Sequence, residues 1–110
     1  MEITTRTHKD VTVIEVEGDV DLSTSPRMRA AILEGFKRKE GRVLVDLTYV
    51  RHIDSSGLAT LVEGLQLANR GGGRFAICGV ENTVRDVFAI AHLGDVFDIY
   101  QDQNQAFSSL

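Results

Sequence analysis

The residues best suited to chemistry are Asp54, Ser55 and Ser56, a carboxylate and two hydroxyls side by side. They follow a short apolar strand and come directly before an amphipathic helix that opens with Gly57 and Leu58. A helix N-terminus has free backbone N–H groups and the positive end of the helix dipole, which together favour a phosphate group. This placement supports the hypothesis that Ser55 is a regulatory phosphorylation site, with Ser56 as the second candidate.

A simpler interpretation of the same residues is purely structural. Asp and Ser are favoured N-cap residues, so Asp54 or Ser55 would then serve only to cap the helix. Motif chemistry by itself favours capping, because caps of this kind are common. The phosphorylation hypothesis therefore depends on what the rest of the chain indicates.

The chain lacks the residue patterns of common catalytic and cofactor sites. His52, Asp54 and Ser55 are too close in sequence to be taken as a hydrolase triad, and the Gly-x-Ser-x-Gly elbow is missing. The three histidines are scattered without metal-ligand spacing, and Gly71-Gly72-Gly73 is not followed by the Lys-Ser/Thr of a phosphate-binding loop. We therefore expect no enzyme activity, no metal ion and no cofactor; the chain would be a kinase substrate rather than a kinase.

The composition is that of one small acidic globular domain. The chain has 110 residues, 43% of them hydrophobic and 25% charged, and its net charge is -4. This length suits one compact domain, residues 1–110, and is too short for two ordinary ones. Nucleic-acid binders usually present a basic face, so we expect no direct contact with nucleic acid. The densest basic cluster, interrupted by two glutamates, consists of Arg27, Arg29, Lys37, Arg38, Lys39 and Arg42.

The single cysteine and the lengths of the apolar runs indicate where in the cell the protein is expected. Cys78 lies within an apolar run and has no second cysteine to pair with, so we expect a buried thiol rather than a nucleophile. No run approaches 18 apolar residues, and the first six residues lack the apolar core of a signal peptide. These features predict a cytoplasmic protein without membrane insertion.

Hydrophobic patterns predict nine elements in the order β-β-α-β-α-β-α-β-α. Strands that alternate with helices favour an α/β domain with a mixed, mostly parallel sheet and about four helices. Functional loops of such sheets lie at the carboxyl ends of the strands, so the 18–25 and 54–56 loops are expected to share one rim. The strands are predicted at 2–8, 11–17, 43–47, 75–78 and 96–100.

Capping and terminating residues predict where the helices begin and end. The expected boundaries are a first helix capped by Ser23, Thr24 or Ser25 and ended by Gly41, a second ended by Gly71–Gly73, a third from Asn82 or Thr83 to Gly94, and a fourth capped by Asp102.

The second helix has a predicted buried stripe and a predicted outer face. The outer face is either an ordinary solvated surface or a docking surface continuous with Ser55, with Gly64 allowing close approach, and the sequence favours neither. The stripe consists of Leu58, Leu61, Val62, Leu65 and Ala68, and the outer face of Thr60, Glu63, Gly64 and Leu67.

Three features together resemble the STAS domain, and more closely the bacterial anti-sigma factor antagonists. They are the order of elements, the turn Gly18-Asp19-Val20-Asp21, and the helix start Asp54-Ser55-Ser56-Gly57-Leu58. The resemblance covers essentially the whole chain. Ala59 departs from the pattern, since many relatives have a second glycine after the leucine.

The resemblance implies a switch between binding partners. In such proteins the serine after the motif aspartate, here Ser55, is phosphorylated by an anti-sigma factor that is also a serine kinase of the histidine-kinase-type ATPase fold. The unphosphorylated chain would bind that anti-sigma factor and free the sigma factor, and a serine phosphatase would reset the system. The alternative is a STAS subunit of a membrane transporter or signalling complex that acts as a scaffold without a sigma factor.

The expected contacts with the partner lie at the rim and on the second helix. The two aspartates of the first turn have a simpler interpretation as turn formers, since Asp suits such turns. The predicted contact residues are Asp19, Asp21, Ser23, Thr24, Asp54, Ser55, Ser56, Gly57, Leu58, Thr60 and Glu63.

Overall fold

The described part of the chain contains five strands, which form a single mixed sheet whose spatial order matches their order along the chain. The computed structural model describes residues 1–38 and 40–110, so Lys39 of the basic cluster lies outside the described residues. The first two strands pair antiparallel as a hairpin, and the other neighbours pair parallel. The strands are β1 (Glu2–His8), β2 (Val11–Glu17), β3 (Arg42–Tyr49), β4 (Arg74–Cys78) and β5 (Asp98–Tyr100).

Four helices complete the described part of the chain, and the predicted α/β fold and element order are confirmed. Three of the helices are crossovers between parallel strands, and the fourth follows the last strand. The helices are α1 (Ser25–Phe36), α2 (Ser55–Gly71), α3 (Asn82–Ile90) and α4 (Gln103–Phe107).

The sheet is covered on both faces, which explains why β3 is almost continuously apolar. Val43, Leu44 and Val45 are all fully buried, because alternate residues of the strand face opposite layers. The smaller cluster, under α4, includes Val13, Leu44, Ala76, Cys78 and Ala106. The main core, under α1 to α3, includes Ile14, Met28, Val45, Leu61, Ile77 and Phe88.

The end of α1 differs from the prediction. The helix ends at Phe36 rather than at Gly41, and the backbone N–H groups of Lys37 and Arg38 donate to the carbonyls of Glu34 and Gly35 at 3.2 and 3.3 Å, respectively. Gly41 instead has a φ of +60° in the turn that leads into β3. Gly41 is therefore the last residue of the turn before β3, and it does not terminate α1.

Both ends of α3 also differ from the prediction. Glu81, rather than Asn82 or Thr83, occupies the N-cap position. The helix ends at Ile90, and the left-handed residue after it is His92, with a φ of 59°, rather than Gly94. The next strand is correspondingly shorter than predicted, since β5 begins at Asp98 instead of Val96.

Candidate partner-binding site

The loops that follow β2 and β3 are joined directly, and we call the segments Asp19–Thr24 and Asp54–Ser56 the rim. An isolated parallel bridge pairs Val20 with Ile53. The N–H of Val20 donates to the carbonyl of His52 at 2.9 Å, and the N–H of Asp54 donates to the carbonyl of Val20 at 3.1 Å. The prediction that the two loops share one rim is therefore confirmed.

Asp54 is the N-cap of α2. Its Oδ1 accepts hydrogen bonds from the Ser56 N–H at 2.9 Å, the Gly57 N–H at 3.2 Å and the Ser56 hydroxyl at 2.5 Å. The Ser56 hydroxyl is the main reason that the pKa of Asp54 is lowered; the two N–H groups add to this, while desolvation and the negative charge of Asp21 oppose it. The capping interpretation is thus confirmed for Asp54, which stays ionised, and not for Ser55.

Ser55 and Ser56 have different surroundings. Ser55 is exposed in the first turn of α2, and its hydroxyl makes no hydrogen bond to any residue that the structure describes. Ser56 is half-buried, and its hydroxyl donates to Asp54. Of the two candidate phosphoacceptors, only Ser55 therefore presents a hydroxyl not already engaged in the cap.

Gly57 and Leu58 support the rim from below. A Cβ atom at Gly57 would lie 2.5 Å from Cγ1 of Ile53 and 2.8 Å from Cγ1 of Val20, so only glycine allows the helix to start against the bridge. Leu58 is 8% exposed and belongs to the main core. Both were predicted as partner contacts, but their burial makes them positioning residues.

The acidic turn after β2 is fixed by its own side chains. Oδ1 of Asp21 accepts from the N–H and the hydroxyl of Ser23, at 2.9 and 2.6 Å. Oγ1 of Thr24 accepts from the Asp21 N–H at 2.8 Å and donates to the Asp19 carbonyl at 3.0 Å. The Ser23 hydroxyl is the main cause that lowers the pKa of Asp21. Asp19, Asp21 and Ser23 are exposed, while Thr24 is half-buried.

Sequence analysis missed Leu22, which lies at the tip of this turn with 77% of its surface exposed. The missed signal is its isolation: Leu22 is a large apolar residue in a polar turn and fits no strand or helix period. It therefore has no packing role in the domain.

The outer face predicted for α2 is partly wrong. Thr60 is only 7% exposed, and its hydroxyl donates to the Ser56 carbonyl at 2.9 Å. Gly64 is buried against the ring of Phe75, from which a Cβ atom would lie 2.8 Å away. Helix α2 is covered by α1 as well as by the sheet, so its buried arc is wider than the apolar stripe alone indicates.

Glu63 remains at the surface but already has a partner. Its carboxylate accepts two hydrogen bonds from the guanidinium of Arg29 on α1, at 2.7 and 2.9 Å. This pairing lowers the pKa of Glu63 and raises that of Arg29, first through the hydrogen bonds and then through the opposite charges. A partner that binds Glu63 must therefore compete with Arg29.

An open groove of about 920 Å³ adjoins the rim between the end of β3 and the start of α3. Its walls include Asp19, His52 and Tyr49, a tyrosine that is 71% exposed and that sequence analysis did not select. The hydroxyl of Thr83 donates to the carbonyl of Arg51 at 2.8 Å and so fixes α3 to this side of the loop. The groove is therefore continuous with the rim through Asp19.

Among residues 1–38 and 40–110, no group of three or more His, Cys, Asp or Glu side chains has the geometry to hold a metal ion. Within the same ranges, no helix has the length and apolar character needed to cross a membrane.

Comparison with known proteins gives a consistent family. The sequence profile of the STAS domain matches residues 2–106. The anti-sigma-B factor antagonist of Listeria monocytogenes is 33% identical over 87 residues, which cover 78% of this chain and 75% of the relative. The anti-sigma F factor antagonist of Paenibacillus polymyxa is 26% identical over 111 residues, or 100% of this chain and 95% of the relative.

The fold agrees with the sequence relatives. The crystal structure of an anti-sigma factor antagonist from Mycobacterium paratuberculosis superposes with a TM-score of 0.86 over 98% of this chain and 92% of that chain, at 22% identity. At this identity the likeness establishes the fold alone, and the family rests on the profile match and the sequence relatives. The chain therefore belongs to the STAS domain family, among the anti-sigma factor antagonists.

Proposed function

We propose that the chain binds an anti-sigma factor through the rim, and that phosphorylation of Ser55 abolishes this binding. The observation that carries the proposal is the free hydroxyl of Ser55, exposed at the start of α2 beside the side chain that caps the helix. Because Asp54 and Ser56 supply the cap, modification of Ser55 leaves the helix start intact.

The proposed partner is an anti-sigma factor that is also a serine kinase of the histidine-kinase-type ATPase fold. It binds the unphosphorylated chain, releases its sigma factor and later phosphorylates Ser55, after which a serine phosphatase restores the binding form. The chain itself acts as a binding protein and substrate, with no catalytic role, and we place the exchange in the cytoplasm. This assignment rests on the family and on the free hydroxyl at the rim.

Charge explains why a phosphate would act as a switch. A phosphoserine adds about 1.5 to 2 negative charges. Two backbone N–H groups at the start of α2, those of Ser56 and Gly57, already donate to Asp54, and Asp21 adds a second carboxylate nearby. The helix dipole favours an exposed phosphate by roughly 0.3–1 kcal/mol, whereas burying an unpaired charge in an interface costs several kcal/mol. The interface penalty is the larger, and about 3–4 kcal/mol corresponds to a several-hundredfold loss of affinity.

Variants of Ser55 test the proposal. We expect Ser55→Ala to bind the anti-sigma factor constitutively and Ser55→Asp to bind it weakly, because only the latter adds a charge to the interface. The measurement is a pull-down from host lysate with both baits, read by mass spectrometry and followed by titration of the captured kinase. Ser56→Ala is the matched control, since it removes a hydroxyl from the cap but leaves Ser55 free.

Three results would contradict parts of this proposal. Equal affinity of the kinase for Ser55→Ala and Ser55→Asp would reject the switch. A phosphate mapped to Ser56 would move the site but keep the mechanism. Transporter subunits held equally by both baits would favour the scaffold function, with the residues at the start of α2 acting as a helix cap.

A further inference from the structure

We propose that Leu22 is the apolar anchor of the rim, and that it fits an apolar pocket bordered by basic side chains on the anti-sigma factor. The proposal rests on the proposed function and adds the chemistry of the partner surface. Leu22 is 77% exposed, although an apolar side chain of this size favours burial.

Leu22 differs from an ordinary exposed leucine because the backbone of its turn is held in one conformation. The residues on either side are held by hydrogen bonds, Asp21 through its Oδ1 and its N–H, and Ser23 through its N–H and hydroxyl. Single exposed leucines are common and by themselves indicate nothing. A leucine presented on a fixed backbone loses less conformational entropy on docking, which is the property of interface anchors.

The turn that contains Leu22 lies next to the segment that contains Ser55. The parallel bridge pairs Val20 with Ile53. Leu22 follows Val20 by two residues, and Ser55 follows Ile53 by two residues, so both lie the same number of residues beyond the bridge. The backbone N–H of Asp54 also donates to the carbonyl of Val20 at 3.1 Å, so the two segments remain joined at the residue after the bridge. A partner surface that covers Ser55 therefore extends over Leu22.

The charges around Leu22 define the border of the pocket. Asp19 and Asp21 lie in the same turn, Asp54 lies on the neighbouring segment, and all three carboxylates are exposed. Complementary interfaces place positive potential opposite such a patch, and this raises the association rate at low salt. The partner surface is thus apolar at the centre and basic around it.

The chain offers a matched control for the anchor. Ile90 is 80% exposed, a value close to that of Leu22. It lies at the C-terminal end of α3, a helix that starts beside the loop after β3 and runs away from it. Truncation of Ile90 removes a similar apolar surface far from the rim.

The test uses the purified anti-sigma factor captured by the Ser55→Ala bait, titrated calorimetrically with unphosphorylated chain. We expect Leu22→Ala to weaken binding by about tenfold to a hundredfold, the range for loss of a buried leucine side chain, and Ile90→Ala to stay within about twofold. Equal affinities of Leu22→Ala and wild type, with binding still lost in Ser55→Asp, would overturn the anchor and leave the switch standing. No binding of any variant to an anti-sigma factor would overturn both.

The basic border has a separate kinetic test with the same probe. Asp19→Asn removes one charge from the turn, and we expect a several-fold lower association rate at low salt and no difference at high salt. Asp95→Asn, an exposed residue in the turn between α3 and β5, is the control with the same change of net charge. Equal rates for both variants at low salt would overturn the basic border.

Discussion

The first turn of α2 divides its tasks among three consecutive residues. Asp54 caps the helix, Ser56 donates its hydroxyl to that cap, and Ser55 is left with a free hydroxyl. Capping and regulation are therefore not alternatives at this site, because different side chains carry them. The sequence placed all three residues at a helix start but did not show which of them formed the cap, since Asp and Ser are both good N-caps.

The ionised form of Asp54 makes a testable contribution to stability. Its pKa lies below the ordinary value of 3.8, so folding is favoured above the unfolded-state pKa, and this contribution is lost as the pH falls through the folded-state pKa. Asp54→Asn keeps an oxygen acceptor but removes the charge. We expect it to lower the urea midpoint at about pH 7, and the difference from wild type to shrink steadily below about pH 4.

A second variant tests the cause of this pH dependence. The Ser56 hydroxyl is the largest cause of the lowered pKa of Asp54, so Ser56→Ala should bring that pKa back towards its ordinary value. Urea unfolding of Ser56→Ala should then show a smaller loss of stability between neutral and acidic pH than wild type shows. A difference between wild type and Asp54→Asn that does not vary with pH would reject the assignment.

At the scale of elements, α2 is defined by the two layers that it contacts. The sheet lies beneath it, and α1 lies beside it and is joined to it by the Arg29–Glu63 ion pair. The buried face consequently includes Thr60 and Gly64 in addition to the apolar stripe. This arrangement leaves Ser55 exposed at the start of α2, whereas Thr60 and Gly64 in the middle of the helix are closed to a partner.

The same substitution at two glycines of α2 separates packing from helix propensity. Gly64→Ala should destabilise the domain by about 1–3 kcal/mol, because the new Cβ atom would lie 2.8 Å from the buried ring of Phe75. Gly71→Ala meets no atom within 4 Å and should be neutral or stabilising by up to about 1 kcal/mol, since alanine favours the helix. Urea unfolding of both variants measures the difference, and equal midpoints would contradict the packing described for Gly64.

These glycines also show what sequence patterns can and cannot predict. Hydrophobic patterns located most of the strands and helices, because these bury apolar residues at regular spacing; β1 does not, since its residues are exposed except for the half-buried Ile3 and His8. Periodicity misplaced Thr60 and Gly64, because small residues carry little hydrophobic signal and their burial depends on a neighbouring helix. It chose Gly94 over His92 as the end of α3, because a non-glycine residue with a positive φ is uncommon. Leu22 was missed because it fits no strand or helix period, and periodicity selects only residues that do; its isolation in a polar turn was the signal.

At the scale of the whole molecule, the sheet separates two layers with different tasks. Helices α1 to α3 and the main core support the rim, whereas the short α4 covers a smaller cluster on the opposite face. Helix α4 is held partly by Gln103, whose side-chain N–H groups donate to Glu15 at 2.6 Å and to Asp46 at 2.7 Å. Because this layer is small and covers the face of the sheet opposite the helices that support the rim, we expect it to open without loss of partner binding.

The reactivity of the Cys78 thiol provides a measurement of how often α4 opens. The thiol lies fully buried in the cluster under α4, and burial, followed by the charge of Asp46, raises its pKa. The folded protein should therefore react very slowly with a thiol reagent. Ala106→Asp would place a charge at the fully buried centre of the cluster, at a cost of several kcal/mol, and should release α4.

We expect Ala106→Asp to increase the rate of Cys78 modification by about a hundredfold or more at neutral pH, the effect of lowering a local opening free energy by about 3 kcal/mol. Asn104→Asp is the control, because it adds the same charge at an exposed position of α4 and should react as slowly as wild type. Affinity for the anti-sigma factor should be unchanged in both variants, since the rim depends on the other layer. Parallel loss of partner binding and thiol protection in Ala106→Asp would instead show that the two layers unfold together, and that α4 is part of the structure that positions Ser55.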